Sequence, residues 1–379
     1  MLHRHIALAA LATASVAACS QDRAITGPAA ATAARLAASA AAADGAPGAV
    51  YTLMNLTSGN AVAIFARAAD GTLTAAGTVA TGGTGTGSGL GSQGAVVLSA
   101  DGRWLFAVNA GSNDVSIFRV SPAGLALTSR IPSGGVQPVS STVHGNLLYV
   151  LNGGGSGNIA GFALDANGGA AAIPGSRRAL SGSAVGPAQV AFSRDGRSLV
   201  VTEKNTNSID VYAVGPDGSA TGPTNYPSAG VEPFGFAFGL RNELFVSEAV
   251  SGSASSYTLG TSGALRLESG SVSTQGQRAP CWLVVTNDGR FAYTANAGSG
   301  TISGFAVGTD ATLRPLDGGA TAVVGSGNID LALSVNSRYL YQLRSSGPIT
   351  ALRVENDGHL TTLGVVGAMP GSVAGLVAR

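Results

Sequence analysis

The chain has 379 residues with 21 Lys and Arg against 20 Asp and Glu, a net charge of +1. With no basic field and no Lys/Arg-rich run, nucleic acid is excluded as a partner class. Charged residues are 11% of the chain and glycines number 56, against roughly 25% charged residues in ordinary soluble domains, a composition suited to many short strands and tight turns.

The first predicted element is a targeting segment. Arg4 gives a short basic start, and Ile6–Ala18 is an apolar run of 13 residues, too short to span a bilayer but suited to a secretory leader. Cys19 follows the small residues Ala17 and Ala18, so residues 1–18 read as a lipoprotein-type signal peptide with Cys19 as the lipidation site. Small residues before the Cys also suit ordinary cleavage. Ser20 rather than Asp after Cys19 favours the outer membrane by analogy with lipoprotein sorting. The expected location is therefore the periplasmic side of the outer membrane, or the periplasm or exterior. Any membrane contact would run only through lipidated Cys19. Residues 19–48 are Ala/Thr-rich without strand periodicity and read as a tether, with a transient helix open to Ala33–Ala43. Cys281 is then a single thiol with no internal disulfide partner.

From Ala49 onward one unit repeats. Its clearest copy is Pro187–Gly218, with apolar runs at Gln189–Phe192 and Ser198–Thr202 around Asp195-Gly196, and a third strand at Ser208–Val214 before Asp217-Gly218. Asp-Gly between such runs is a hairpin signal, because Gly takes φ > 0 without steric cost. The second strands of successive units end at Asn55, Asn109, Asn152, Glu203, Glu248, Asn296 and Arg344, at spacings of 54, 43, 51, 45, 48 and 48 residues. A four-stranded propeller blade takes roughly 40–50 residues. Seven matches predict an all-β, seven-bladed propeller over residues 49–379. The first unit lacks an inner strand and Gly371–Ala378 has no unit of its own, so the two ends are expected to share one blade and leave no unpaired edge.

In such a ring the inner-strand starts and second-strand ends lie on one face. Gln93, Gln137, Gln189, Glu232, Cys281 and Asp330 are expected there with the seven second-strand ends. Convergent polar groups at a channel mouth are the default binding site. The opposite face carries the turns at Ala100–Arg103, Val143–Asn146, Arg194–Arg197, Asn287–Arg290 and Val335–Arg338, read as turn chemistry alone. Asn at the strand ends, as at Asn109, Asn152 and Asn296, bonds its own backbone and opens the following loop. Glu203, Glu248 and Arg344 break that pattern, either as inter-blade ion pairs or as a general base and an anion clamp in one funnel. Lys204 points into that mouth or into solvent. Cys281 reads as a small buried hydrophobe, Trp104 and Trp282 as core, and Phe234 and Phe236 as an apolar wall near the channel.

Other chemistries find no support. His3 and His5 lie in the leader, His144 replaces a turn Asp and His359 adjoins an outer hairpin, so neither a Ser-His-Asp triad nor a His-ligated zinc site is expected. No cofactor and no metal are predicted. Gly89–Gly94 matches G-x-G-x-x-G but leads into a strand, and reads as an inter-blade loop.

The phrases AFSRDGRSLVVTEKNTNSIDVY, PFGFAF, CWLVVTNDGRFAYTANAGSGTISGF and ALSVNSRYLYQL resemble the seven-bladed propeller lactonase family, the group of phosphogluconolactonase and carboxymuconate-cyclising enzymes, over about Ala49–Arg379. The family's fourth-blade motif looks like H-x-H-x-x-x-F-S-P-D-G followed by a strand ending D-L-G-x-D. On this chain the histidines fall on Gly186 and Ala188, the first acid on Glu203 and the second on Asn207. The resemblance implies a divergent exported branch in which Glu203, with a raised pKa, is the remaining neutral-pH proton acceptor. It implies a lactone-ring hydrolase or cyclase acting on a small carboxylated or sugar lactone at the central funnel. Glu203 would be base, Arg344 would hold a substrate anion, and Glu248 or Lys204 would assist. Gln189, Asn109, Asn152, Asn296, Phe234 and Cys281 would complete the binding surface. The alternative is a non-catalytic scaffold propeller at the cell envelope that binds a ligand or a partner protein. A monomer is expected.

Overall fold

The Asp-Gly turns form as their chemistry dictates. Asp195 Oδ1 accepts Ser193 Oγ at 2.7 Å and Arg197 N at 3.2 Å, while Gly196 takes φ 71°. Asp288 repeats the arrangement, accepting Thr286 Oγ1 at 2.6 Å and Arg290 N at 3.1 Å, with Gly289 at φ 71°. A side chain that captures the orphan N–H and a residue free to enter the left-handed region close each hairpin in a four-residue loop, between Ser193 and Ser198 and between Thr286 and Phe291.

The computed structural model describes residues 46–367 and 369–379. The leader at 1–18, Cys19 and nearly all of the tether lie outside the described residues. The strands of the rest form seven antiparallel sheets, each the product of one repeat. Blade 2 has inner strand Val96–Leu98, blade 3 Pro138–His144, blade 4 Pro187–Phe192, blade 5 Pro233–Phe238, blade 6 Pro280–Val285 and blade 7 Asn328–Leu333. The second strands, from Trp104–Asn109 in blade 2 to Tyr339–Arg344 in blade 7, are each six residues long. Each inner strand packs on the next, and the ring closes from blade 7 through blade 1 back to blade 2. The result is a seven-bladed propeller.

Blade 1 is made from both ends of the chain. Its inner strand, Ala374–Ala378, pairs with Gly48–Leu53 in the register Val50↔Ala378, Tyr51↔Val377 and Thr52↔Leu376. Arg67 locks the seam, donating from Nε to Arg379 O at 3.0 Å and from an Nη to Ala46 O at 3.0 Å.

The core lies as wedges between neighbouring sheets rather than at one centre. Val200, Val211 and Leu244 fill the wedge between blades 4 and 5, and Tyr341, Leu343 and Leu376 that between blades 7 and 1. A second-strand tyrosine reaches the outer hairpin of the next blade three times: Tyr149 Oη donates to Gly218 O at 2.7 Å, Tyr293 Oη to Gly358 O at 2.7 Å and Tyr341 Oη to Gly71 O at 3.0 Å. Burial pushes these phenols up, Tyr149 to about 12, so each remains a donor. Trp282 is buried as expected, but Trp104 is only partly so, because it caps a gap between blades 2 and 3.

Deleting residues 372–379 exposes the Gly48–Leu53 edge and removes the buried Val373, Leu376 and Ala378. The truncated chain is expected to lose its cooperative thermal transition by circular dichroism. Tyr341→Phe, which strands only the Gly71 carbonyl, is expected to cost about 1 kcal/mol.

Candidate functional site at the channel mouth

The second-strand ends gather on one face, but their side chains turn into their own blades. Asn109, which is fully buried, donates to Asp114 Oδ1 at 2.6 Å and Ser116 Oγ at 2.8 Å, and Asn296 donates to Thr301 Oγ1 at 3.0 Å and Ser303 Oγ at 2.9 Å. Glu248 follows the same five- and seven-residue offsets, accepting Ser253 Oγ at 2.6 Å and Ser255 Oγ at 2.6 Å, together with Gly230 N at 2.7 Å and Ser271 Oγ at 3.0 Å. Asn152 donates to Ser133 O at 3.1 Å. These are buried polar clusters within each blade and its connecting loop, and the Glu248 carboxylate is met by several donors. Neither Glu203 nor Glu248 forms an ion pair among the described residues. The expected inter-blade pairing is therefore replaced by hydroxyls and amides of the same blade and its connecting loop. Arg344 ends its strand half-buried in blade 7 with Nε lacking an acceptor, and no contact joins it to Glu203 or Glu248.

The channel mouth itself is occupied by the chain. The glycine-rich connection from blade 1 to blade 2 is pinned at its base by Asn55, which donates to Ser88 O at 2.6 Å and accepts Thr86 N at 3.1 Å. Its end, Gly91–Gly94, then crosses the inner-strand starts. Lys204 Nζ donates to Gly91 O at 2.7 Å, Ser92 Oγ to Val139 O at 2.7 Å, Trp282 Nε1 to Ser92 O at 2.9 Å, Gln93 N to Ala188 O at 3.0 Å and Ser141 N to Gly94 O at 2.8 Å. Blades 3, 4 and 6 are thereby tied to one stopper.

Side chains at the third inner-strand position explain why the stopper fits. Gln189 spans to blade 5, donating to Phe236 O at 3.0 Å and accepting Phe236 N at 2.7 Å. Blade 5 has Gly235 at that position, and Gln93 supplies the missing amide to blade 6, donating to Leu283 O at 2.9 Å and accepting Leu283 N at 3.1 Å. A Cβ on Gly235 would lie 2.1 Å from Gln93 Oε1 and 2.7 Å from Cys281 O. The buried Asp330 takes the same position at the seam of blades 7 and 1, where burial raises its pKa far above the carboxylate range. Gln137 and Glu232 stand at φ 55° and 63° directly before Pro138 and Pro233, so backbone geometry sets their place.

Among the expected binding residues, Lys204, Phe234, Cys281 and Gln189 do lie together around the stopper. Lys204 Nζ is 4.9 Å from the Phe234 ring centroid, and Phe234 meets Trp282 edge-on at 5.0 Å. Burial lowers the Lys204 ammonium and pushes the Cys281 thiol up to about 12, so Cys281 stays a thiol and no nucleophile. The two positions that the family motif gives to histidine are closed. Gly186 sits at φ 64°, where a Cβ would be 2.8 Å from Asn205 Nδ2. Ala188 is fully buried beneath the stopper.

One titratable pair went unseen in the sequence. Asp210, on the third strand of blade 4, shares its surroundings with Glu203. Ser181 N donates to Glu203 Oε1 at 3.0 Å and to Asp210 Oδ2 at 3.1 Å, Thr206 Oγ1 to Glu203 Oε2 at 2.8 Å and Asn225 Nδ2 to Asp210 Oδ1 at 2.8 Å, while Ser181 Oγ also donates to Glu203 Oε2. Burial, with Glu203 adding to it, pushes Asp210 up to about 7. Two carboxyls in one buried site cannot both ionise at little cost, so Asp210 keeps its proton into the neutral range. The signal available was Glu203 with an acid seven residues on, the offset that Asn109 and Glu248 fill with serine.

Seven antiparallel sheets of four or five strands, closed into a ring, define the class, a seven-bladed β-propeller. The family model described as "Lactonase, 7-bladed beta-propeller" matches residues 47–172, so the chain is similar to that family over the N-terminal strands of blade 1, all of blade 2 and most of blade 3. Among solved structures it is similar to the periplasmic gluconolactonase of Pseudomonas aeruginosa, at 20% identity and TM-score 0.69 over 88% of this chain and 99% of that one. It is also similar to a candidate 6-phosphogluconolactonase of Bacteroides fragilis, at 18% identity and TM-score 0.71 over 88% and 98%, and to one of Bacteroides uniformis, at 20% identity and TM-score 0.70 over 86% and 98%. No curated protein sequence matches the chain.

Gly235→Ala is expected to lower stability by about 1–3 kcal/mol, since the Cys281 carbonyl cannot yield; a denaturant midpoint unchanged from wild type would refute the stopper's fit. For Asp210, the folded chain keeps a proton that the unfolded chain releases, so stability falls as pH rises from 3.8 to about 7. Asp210→Asn is expected to melt higher than wild type at pH 8 and to lose that advantage at pH 4, measured by calorimetry across that range.

Proposed function

We propose that the chain is a lactone hydrolase of the propeller lactonase type, acting at the top of blade 4 on a small carboxylated or sugar lactone. The observation that carries this reading is the Glu203–Asp210 pair, a proton acceptor poised near neutrality where the family histidines are absent. A general base works best with a pKa near the operating pH, and burial beside a second carboxyl supplies it here. Ser181 covers the pair, so the loop from Ser181 to Gly186 has to move for water to reach it.

In the proposed reaction, water adds its oxygen to the lactone carbonyl carbon and gives a proton to the pair. Lys204, beside the stopper, is the cation nearest in sequence to offer the developing oxyanion or a substrate carboxylate a charge-assisted hydrogen bond. Collapse of the tetrahedral intermediate breaks the ring C–O bond, and the pair returns its proton to the departing alkoxide. Glu248 and Arg344 have no direct part in these steps. The similarity of the model match and of the solved gluconolactonase fold supports a lactone as substrate class.

A second reading, a non-catalytic scaffold propeller at the cell envelope, is favoured by the stoppered channel, which leaves rims rather than a funnel to meet a ligand or partner. Hydrolysis of D-glucono-1,5-lactone and a panel of carboxylated γ-lactones separates the two. Wild type is expected to show a rate rising with pH to a plateau above about 7, and Asp210→Asn a loss of kcat/KM of about 100-fold or more with an intact thermal transition. A wild-type rate no greater than the uncatalysed one across the panel, or an undiminished Asp210→Asn, overturns the enzymatic reading.

A further inference from the structure

The opposite face of the ring, expected to carry turns alone, holds a cavity of about 460 Å³ between blades 2 and 3. That size falls within the range of small-molecule sites, roughly 300–1,000 Å³. Its apolar lining is the partly exposed Trp104 with Val143 and Leu164, and its polar lining includes Asp101, Arg103 and Asp165.

The cleft is open where an arginine turns back on its own turn instead of reaching the next blade. At the corresponding junction of blades 6 and 7, Phe291 packs on Gly358 and Arg290 reaches across, its Nη donating to Asn356 O at 2.8 Å. Between blades 5 and 6, Arg241 Nη donates to Thr309 O at 2.7 Å and the remaining cavity is about 110 Å³. Between blades 7 and 1, Tyr339 Oη donates to Ala69 O at 2.8 Å. At the junction of blades 2 and 3 the same geometry puts Trp104 on Gly168. Arg103, the counterpart of Arg290, folds back instead, and its Nε donates to Asp101 Oδ2 at 2.6 Å. The hairpin at Asp165–Gly169 is left unbridged by it.

We infer that this cleft is a binding site for a neutral saccharide ring. An indole with an aliphatic floor suits the apolar face of a pyranose. The two carboxylates suit its hydroxyl donors, since O–H···O⁻ bonds are among the stronger hydrogen bonds. Asp165 is kept ionised by the backbone N–H groups of Gly169 and Asn167, and at Asp101 burial opposes ionisation but the hydrogen bonds of Ser99 and Arg103 outweigh it. An anionic ligand meets both carboxylates. An organic cation meets Arg103 and also Arg119, whose guanidinium carbon lies 5.9 Å from the Trp104 ring centroid. Neutral ligands with many hydroxyls fit both constraints. The site stands apart from the Glu203–Asp210 pair and does not rest on the lactonase reading.

Saturation-transfer NMR on the purified chain with methyl β-D-glucopyranoside, methyl α-D-mannopyranoside and N-acetyl-D-glucosamine tests the inference. Transfer is expected from at least one of the three, with D-glucuronate and tetramethylammonium bound at least tenfold more weakly. Asp165→Asn, an exposed change within a hairpin, is expected to weaken the best sugar about fivefold while keeping a single cooperative thermal transition; Glu203→Gln is expected to leave sugar binding unchanged. Absence of transfer from all three sugars, preference for tetramethylammonium, or affinity kept within twofold in Asp165→Asn overturns the assignment.

Discussion

Pairing of the last strand with the first is the constraint on which the molecule depends. Seven sheets can surround an axis only if no edge is left at the seam, and Ala374–Ala378 supplies the inner strand that the first repeat lacks. Closure fixes the number of blades and brings every inner-strand start to one rim. It also turns each blade's apolar faces toward its neighbours, so stability resides in seven wedges rather than one core. The tyrosines that reach neighbouring hairpins and the amides of Gln189 and Gln93 are hydrogen-bonded versions of the same inter-blade attachment.

Burial decides what the polar residues at that rim can do. Asn109, Asn296 and Glu248 sit at matching places in their repeats and meet polar side chains five and seven residues on, the seventh a serine hydroxyl each time. A carboxylate surrounded by four or five donors is satisfied where it stands. Replacing one of those hydroxyls by Asp210 in blade 4 changes the chemistry, because a second carboxyl competes for the same small volume and a proton is retained. The difference between a structural cluster and a candidate acid–base pair is thus a single residue at a repeated position.

The stopper shows how a low-complexity segment acquires a specific structure. A string of glycines lets the backbone pass close to Asn55 and Asn109, where a Cβ on Gly85 or Gly83 would lie within 2.5 Å of their atoms. Its last four residues then replace part of an inner strand, which is why blade 2 begins its inner strand only at Val96. Gln93 completes an inter-blade amide that Gly235 cannot make. The rim where blades 3, 4 and 6 approach is therefore occupied here by the chain's own backbone.

Periodicity settled the fold class, the blade count and the sharing of one blade by the two ends, because strand alternation and turn chemistry are local and repeat seven times. It also brought Lys204, Phe234, Gln189 and Cys281 to one region, since inner-strand starts must share a rim. Which way Glu203 and Glu248 point, that Asp210 joins Glu203, that Gly91–Gly94 fills the axis and that Arg103 leaves a cleft open are contacts across sheets and between blades. Such contacts depend on the relative placement of segments tens to hundreds of residues apart. No local pattern encodes that distance, and only the closed ring decides it.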